Sequence, residues 1–133
     1  MKLKTSFEFD AAHRLVGYKG KCSRLHGHMW HVDLEIEGEG LDCNGILWDF
    51  TNAKYLKDLF DHKTILKIDE ENNDIIKAIE EISGDEGLYI MKENPTAENL
   101  CKEILAHCKT SNPNLKYKVT VYESPKSYVE IEE

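Results

Sequence analysis

The sequence predicts an α+β fold in which an antiparallel four-stranded sheet carries helices on one face. Three observations predict it: strict apolar/polar alternation in two stretches near the amino end, helical apolar spacing through the middle, and renewed alternation towards the carboxyl end. Residues 1–133 are expected to form one domain, since the chain is long enough to bury a core and short of the size at which chains divide.

From Thr5 to Arg14, the residues Phe7, Phe9, Ala11 and His13 share one parity and Glu8, Asp10, Ala12 and Arg14 the other, the period of a half-buried strand. The segment "LVGYKGKCSR" that follows has Gly17 and Gly20 among Lys19, Lys21 and Arg24, and reads as a basic exposed loop. Alternation resumes at His26, with His28, Trp30, Val32, Leu34 and Ile36 on its face and His31, Asp33, Glu35 and Glu37 opposite. "LDCNGILWDF" predicts a turn at Asn44-Gly45 and then a short apolar strand. Tyr55, Leu56, Leu59 and Phe60 have amphipathic-helix spacing behind a capping candidate at Asp49 or Thr51, and Asp61-His62 ends that helix. Ile75, Ile76, Ile79 and Ile82 mark a second helix among acidic residues, stopped at Gly84, and "GLYIM" a brief strand. Thr96 caps a third helix with Glu98 in its first turn and Leu100, Ile104, Leu105 and Cys108 on its inner stripe. Tyr117, Val119 and Val121 then alternate, with Glu123 on the same parity, and "SYVEIEE" closes the sheet.

A formal net charge of −8 argues against a nucleic-acid backbone or an anionic membrane as the main partner. No apolar run approaches the roughly 20 residues that span a bilayer, and "MKLKTSFEFD" lacks the apolar core of a signal peptide, so a cytoplasmic location is expected. Cys22, Cys43, Cys101 and Cys108 form no CxxC pair and are expected as free thiols.

The chemistry concentrates in "CSRLHGHMWH". His26 and His28, two apart on a strand, point the same way from Cα atoms about 6.6 Å apart, so both imidazoles can reach one ion. Zinc in a catalytic site takes three protein ligands and keeps one position open, and His13, ending the apolar face of the neighbouring strand, is the natural third. The other reading makes all three ordinary core-edge histidines. His31, on the opposite parity, and His107, on a helix, read as structural or solvated. Cys22 lies in a basic loop, where nearby cations favour thiolate, while the other three cysteines read as packing or plain surface. Asp61-His62 is either a solvated helix end or a carboxylate orienting an imidazole. Glu123, on an apolar parity, either surfaces at its strand end or holds a partner such as an N–H pair on a heterocycle.

Taken in order, "FEFDAAHRL", "CSRLHGH", "WDF", "FDH", "NPTAEN" and "VYES" resemble the 6-pyruvoyl-tetrahydropterin synthase family, most closely its 6-carboxy-tetrahydropterin synthase branch, whose Cys-x3-His-Gly-His spacing this chain shares. The resemblance implies that His13, His26 and His28 bind a catalytic zinc, that Cys22 is the general base, and that Asp61 and His62 complete a proton relay. It further implies that Glu123 anchors a pterin ring in a pocket lined by Thr96 to Glu98. The implied fold is the tunnelling fold, in which sheets of several subunits join into a barrel with active sites between them. The implied assembly is a homohexamer, a dimer of trimers, and edge strands at both chain ends and site residues far apart in sequence fit such an arrangement. The implied substrate is 7,8-dihydroneopterin triphosphate, converted to 6-carboxy-5,6,7,8-tetrahydropterin, acetaldehyde and triphosphate on the way to queuosine-type deazapurines. Lys19, Lys21 and Arg24 are assigned to the triphosphate on charge alone. Within the family the alternatives are the pyruvoyl product or an aldolase acting on dihydroneopterin. Outside it, the alternative is a non-catalytic pterin- or metal-binding module whose structural zinc takes Cys22 as fourth ligand. The chain departs from shorter members by an acidic segment from about Lys67 to Lys92.

Overall fold

The computed structural model describes residues 1–133. The long alternating stretches become β1 (Lys2–His13) and β2 (His26–Glu37), paired antiparallel over their full lengths with Lys2 opposite Glu37 and His13 opposite His26. Phe7, Phe9, Ala11 and His13 are buried while Glu8 and Asp10 are exposed, so the parity read from the sequence decides which face meets the core. Helix α1 (Thr51–Phe60) begins where the Asp49 carboxylate accepts the Thr51 amide at 2.9 Å. Strand β3 (Lys63–Lys67), helix α2 (Asn73–Ser83), strand β4 (Leu88–Met91), helix α3 (Ala97–Ser111) and strands β5 (Lys116–Ser124) and β6 (Ser127–Glu132) follow. Thr96 caps α3 by accepting the Asn99 amide at 3.2 Å, and Gly84 ends α2 in the left-handed region at φ 69°.

The sheet has six strands in the order β4-β3-β1-β2-β5-β6, which corrects the expected four-stranded antiparallel sheet. The β1–β2–β5–β6 portion is antiparallel, but β3 pairs with β1, and β4 with β3, in parallel. β3 escaped the sequence reading because its buried residues, Ile65 and Leu66, are adjacent: a strand covered on both faces does not alternate. β1 is consequently interior, and the sheet edges are β4 and β6, so of the two chain-end strands only the carboxyl-terminal one lies at an edge.

A second correction concerns residues 46–48, expected as a strand. The Asp42 carboxylate accepts the amides of Asn44 and Ile46 at 2.8 and 3.0 Å, which closes the Asn44-Gly45 turn on itself and leaves Trp48 buried in a coil segment. Trp30, Phe9, Phe60, Leu100, Ile104 and Val119 are among the residues of one apolar core between the sheet and the helices α1 and α3. Helix α2 buries no residue and packs at the β4 margin, with Ile82 outermost. No helix is long and apolar enough to cross a membrane. All four cysteines are free, and burial raises the thiols of Cys101 and Cys108 to about 11 and about 12.

Candidate metal centre and its surroundings

The end of β1 and the start of β2 place three imidazoles in a triangle. His13 lies opposite His26 in the register and His28 opposite Ala11, giving ring-centre separations of 4.5 Å (His13–His26), 5.2 Å (His13–His28) and 5.0 Å (His26–His28). Trp30, fully buried, meets His13 and His28 edge-on and floors the group.

The protonation of these rings is set by backbone carbonyls. His13 Nδ1 donates to the Pro95 carbonyl at 2.7 Å and His26 Nδ1 to the Arg24 carbonyl at 2.7 Å, because a carbonyl can only accept. In each neutral ring the lone pair is then on Nε2, and the two Nε2 atoms face each other at 3.0 Å. Burial is the largest influence on His13 and pulls it down to about 4, against the opposing Pro95 carbonyl and with help from the two neighbouring imidazoles. His28 is also lowered, chiefly by burial. Its Nε2 is buried without a hydrogen-bond partner. The Glu123 carboxylate lies 3.1 Å from that atom, close enough for electrostatic attraction but misaligned for a hydrogen bond.

A proton shared by His13 and His26 would satisfy that pair and leave His28 Nε2 unmatched. One cation would serve all three. Donor atoms of His13, His26, His28 and Glu123 all lie within 4.8 Å of one another, and carbonyl-oriented imidazoles suit a nitrogen-preferring divalent ion such as zinc. Cys22 is not in this group, so the fourth group beside the histidines is a carboxylate and not the thiol that a closed structural site would require.

Cys22 is half-buried in a single helical turn, Lys21–Ser23, which Gly20 enters at φ 153°, a conformation side chains disfavour. The Cys22 carbonyl accepts the Leu15 amide at 2.9 Å, holding the turn against the end of β1. Lys19, Lys21 and Arg24 are exposed and make no ion pair, so their charges face solvent around this turn.

Asp61 and His62 form a separate group with Asp10, on the parity of β1 opposite His13. Asp61 accepts the Asp10 amide at 3.0 Å and lies 3.1 Å from His62 Nδ1. Burial alone would raise the Asp61 carboxyl, but the Asp10 amide and His62 outweigh it and hold the group below its ordinary value. His62 sits at φ 59°, the left-handed region, with its amide donated to the Asp10 carbonyl at 2.7 Å and its side chain 79% exposed.

Glu123 and His28 border a cleft of about 530 Å³ shared with Glu8, His31, Asp33 and Tyr122, within the range of small-ligand sites. A cleft of about 540 Å³ between Leu41 and Leu115 is far in composition from this chemistry and contains none of the candidate residues. His31, taken in the sequence as structural or solvated, bridges Glu8 at 3.2 Å and Asp33 at 2.8 Å; burial lowers it, but these two carboxylates prevail and raise it. Glu98 is exposed in the first turn of α3, and the Thr96 hydroxyl is committed to its cap.

Sequence reasoning missed the carbonyls of Pro95 and Arg24, because backbone groups have no residue signature. It also missed Asn94, whose side chain accepts the Val16 amide at 2.8 Å and donates to the Val16 carbonyl at 2.9 Å, tying "NPTAEN" to the loop after His13. Its presence in that short motif was the available signal.

The sequence model of the 6-pyruvoyl tetrahydropterin synthase family matches residues 2–133. A Pyrococcus horikoshii protein is 37% identical over 145 residues, covering 98% of this chain and 88% of its own. The 6-carboxy-5,6,7,8-tetrahydropterin synthase of Rickettsia felis is 31% identical over 140 residues, covering 98% and 99%. Among solved structures, the 6-pyruvoyl tetrahydropterin synthase of Caenorhabditis elegans superposes with a TM-score of 0.67 at 24% identity, covering 100% of this chain and 95% of that one. An uncharacterized protein from Wolinella succinogenes gives 0.77 at 20% identity, covering 100% and 98%. These two likenesses speak to the fold.

Proposed function

Because this chain belongs to the 6-pyruvoyl tetrahydropterin synthase family, we propose that it is a zinc-dependent carbon–carbon lyase of the 6-carboxy branch, a single-domain enzyme acting in the cytoplasm. It would convert 7,8-dihydroneopterin triphosphate and one water to 6-carboxy-5,6,7,8-tetrahydropterin, acetaldehyde and triphosphate, a step towards queuosine-type deazapurines. The observation that carries the reading is the convergence of His13, His26 and His28 on one point, with His28 Nε2 buried and unpartnered. The relatives' names and the Cys22-x3-His26-Gly-His28 spacing favour the carboxy branch over the pyruvoyl product or an aldolase.

In this reading the three histidines hold the ion, which when bound supplies Lewis-acid polarisation of the substrate's side-chain hydroxyls. The Pro95 and Arg24 carbonyls keep Nδ1 of His13 and His26 protonated and their Nε2 atoms turned inwards. Cys22 as thiolate accepts the proton from the side-chain carbon. Asp61 orients His62, which supplies or accepts protons as the double bond migrates. Lys19, Lys21 and Arg24 receive the triphosphate, and Thr96 and Glu98 border the pterin.

His62 is largely exposed and its donor atoms group with Asp10 and Asp61 and not with the histidine triangle, although it borders one cleft with His28. The relay is therefore proposed to act on the site of a second copy in a homohexameric barrel. The rival of another class, a non-catalytic module with a closed structural zinc, has less support because Glu123 and not Cys22 accompanies the histidines.

Glu123 is the proposed pterin anchor, accepting two N–H bonds from the aminopyrimidinone edge. Glu123→Gln removes the charge and sets a donor against a donor, so pterin affinity should fall by one to two decades, about 1.5–3 kcal/mol, at unchanged metal content. Fluorescence titration with a pterin at matched zinc loading reads this directly. Unchanged affinity together with weakened metal retention would assign the carboxylate to the histidine group it approaches at 3.1 Å.

A further inference from the structure

The acidic segment after β3 has no part in the chemistry proposed above, yet one of its residues, Asn72, is fully buried. Its amide donates to the Lys67 carbonyl at 2.8 Å, anchoring it to the end of β3, and its oxygen accepts from Arg14 Nη1 at 2.9 Å. Arg14, the residue after His13, also approaches the Glu71 carbonyl with Nη1 at 3.4 Å and donates Nε to the Ser23 carbonyl at 2.8 Å. Ser23 follows Cys22. One guanidinium thus bridges the turn that carries the thiol and a buried amide 58 residues away in sequence.

The thiol's turn has little else to hold it. It contains no buried residue, and its ties to the rest of the fold are the Leu15 amide on the Cys22 carbonyl, the Arg14 bond on the Ser23 carbonyl and, at its closing residue, the His26 bond on the Arg24 carbonyl. Asn72 fixes where the guanidinium plane lies, and the plane fixes where the Ser23 carbonyl lies. Only arginine presents Nε–H and Nη–H in one rigid fork; lysine has a single freely rotating ammonium.

We propose that Arg14 and Asn72 are positioning residues that hold the Cys22 turn, and that the acidic segment, through Asn72, is the strut against which the thiol is set. This rests on the reading of Cys22 as the base.

The test is site-resolved alkylation with iodoacetamide, quantified by peptide mass spectrometry, with exposed Cys43 of the same molecule as internal reference. In Asn72→Leu and Arg14→Lys, at unchanged zinc content, the Cys22/Cys43 rate ratio should rise roughly tenfold, the scale of one lost hydrogen bond to a charged group. In the same variants kcat should fall by about the same factor with KM within about twofold. Asn72→Asp keeps the acceptor for Arg14 and gives up the donor to the Lys67 carbonyl, so its ratio and kcat should lie between those of the parent and Asn72→Leu, a graded response that a merely structural role for Asn72 would not produce. Arg14→Lys keeps the inquiry open should Asn72→Leu fail to fold. An unmoved Cys22/Cys43 ratio in Arg14→Lys overturns the proposal. Should the ratio move while Cys22→Ala retains turnover, the strut stands and the assignment of Cys22 as base falls.

Discussion

Cys22→Ala is expected to lower turnover by roughly 10²–10⁴-fold, the contribution of a positioned general base, while zinc content and thermal unfolding stay at their parent values. The expectation follows from separation of duties. The thiol is outside the group formed by His13, His26, His28 and Glu123, so its loss removes no donor from that group. It is half-buried on a turn with no buried residue, so its loss opens no cavity in the core. Activity assays paired with metal analysis read both halves. Loss of metal along with activity would move Cys22 into the coordination shell and favour the closed structural site.

His28→Ala should release most of the bound metal. Removing a partner that merely orients a ligand costs 10–100-fold in affinity, and removing a ligand should cost more than about 100-fold. His28 is the sharpest of the three to change because its Nε2 has no hydrogen-bond partner in the protein, whereas His13 and His26 also brace the Pro95 and Arg24 carbonyls through Nδ1. Its removal therefore disturbs the metal more than the fold. Metal analysis after dialysis against a weak chelator gives the answer, and full zinc occupancy in this variant would sink the assignment of His28.

The parts of this molecule that were legible in the sequence are those where periodicity meets a one-sided environment. β1 and β2 bury one face, so a period of two marks them, and the same parity turns His13, His26 and His28 inwards. β3 was illegible for the opposite reason: covered on both faces, "KTILK" has no alternation, and its neighbour in the sheet is the sequence-distant β1. Apolar "ILW" suggested a strand, but the Asp42 carboxylate captured the Ile46 amide with which that strand would have begun its pairing. Glu123 stood out by breaking its strand's apolar parity, though nothing in the sequence placed it 3.1 Å from His28. Long-range pairs of single side chains, such as Arg14 with Asn72, leave no periodic trace at all.

As proposed, the chain takes up one water and removes acetaldehyde and triphosphate from a pterin triphosphate to leave a carboxylate at the ring. Zinc-loaded protein should be incubated with 7,8-dihydroneopterin triphosphate and the products resolved by mass spectrometry, with acetaldehyde trapped as its hydrazone. The account predicts 6-carboxy-5,6,7,8-tetrahydropterin and one equivalent of acetaldehyde, both formed roughly 10²–10⁴-fold more slowly with Cys22→Ala; 6-pyruvoyl-tetrahydropterin without acetaldehyde, or unreacted substrate, would contradict it.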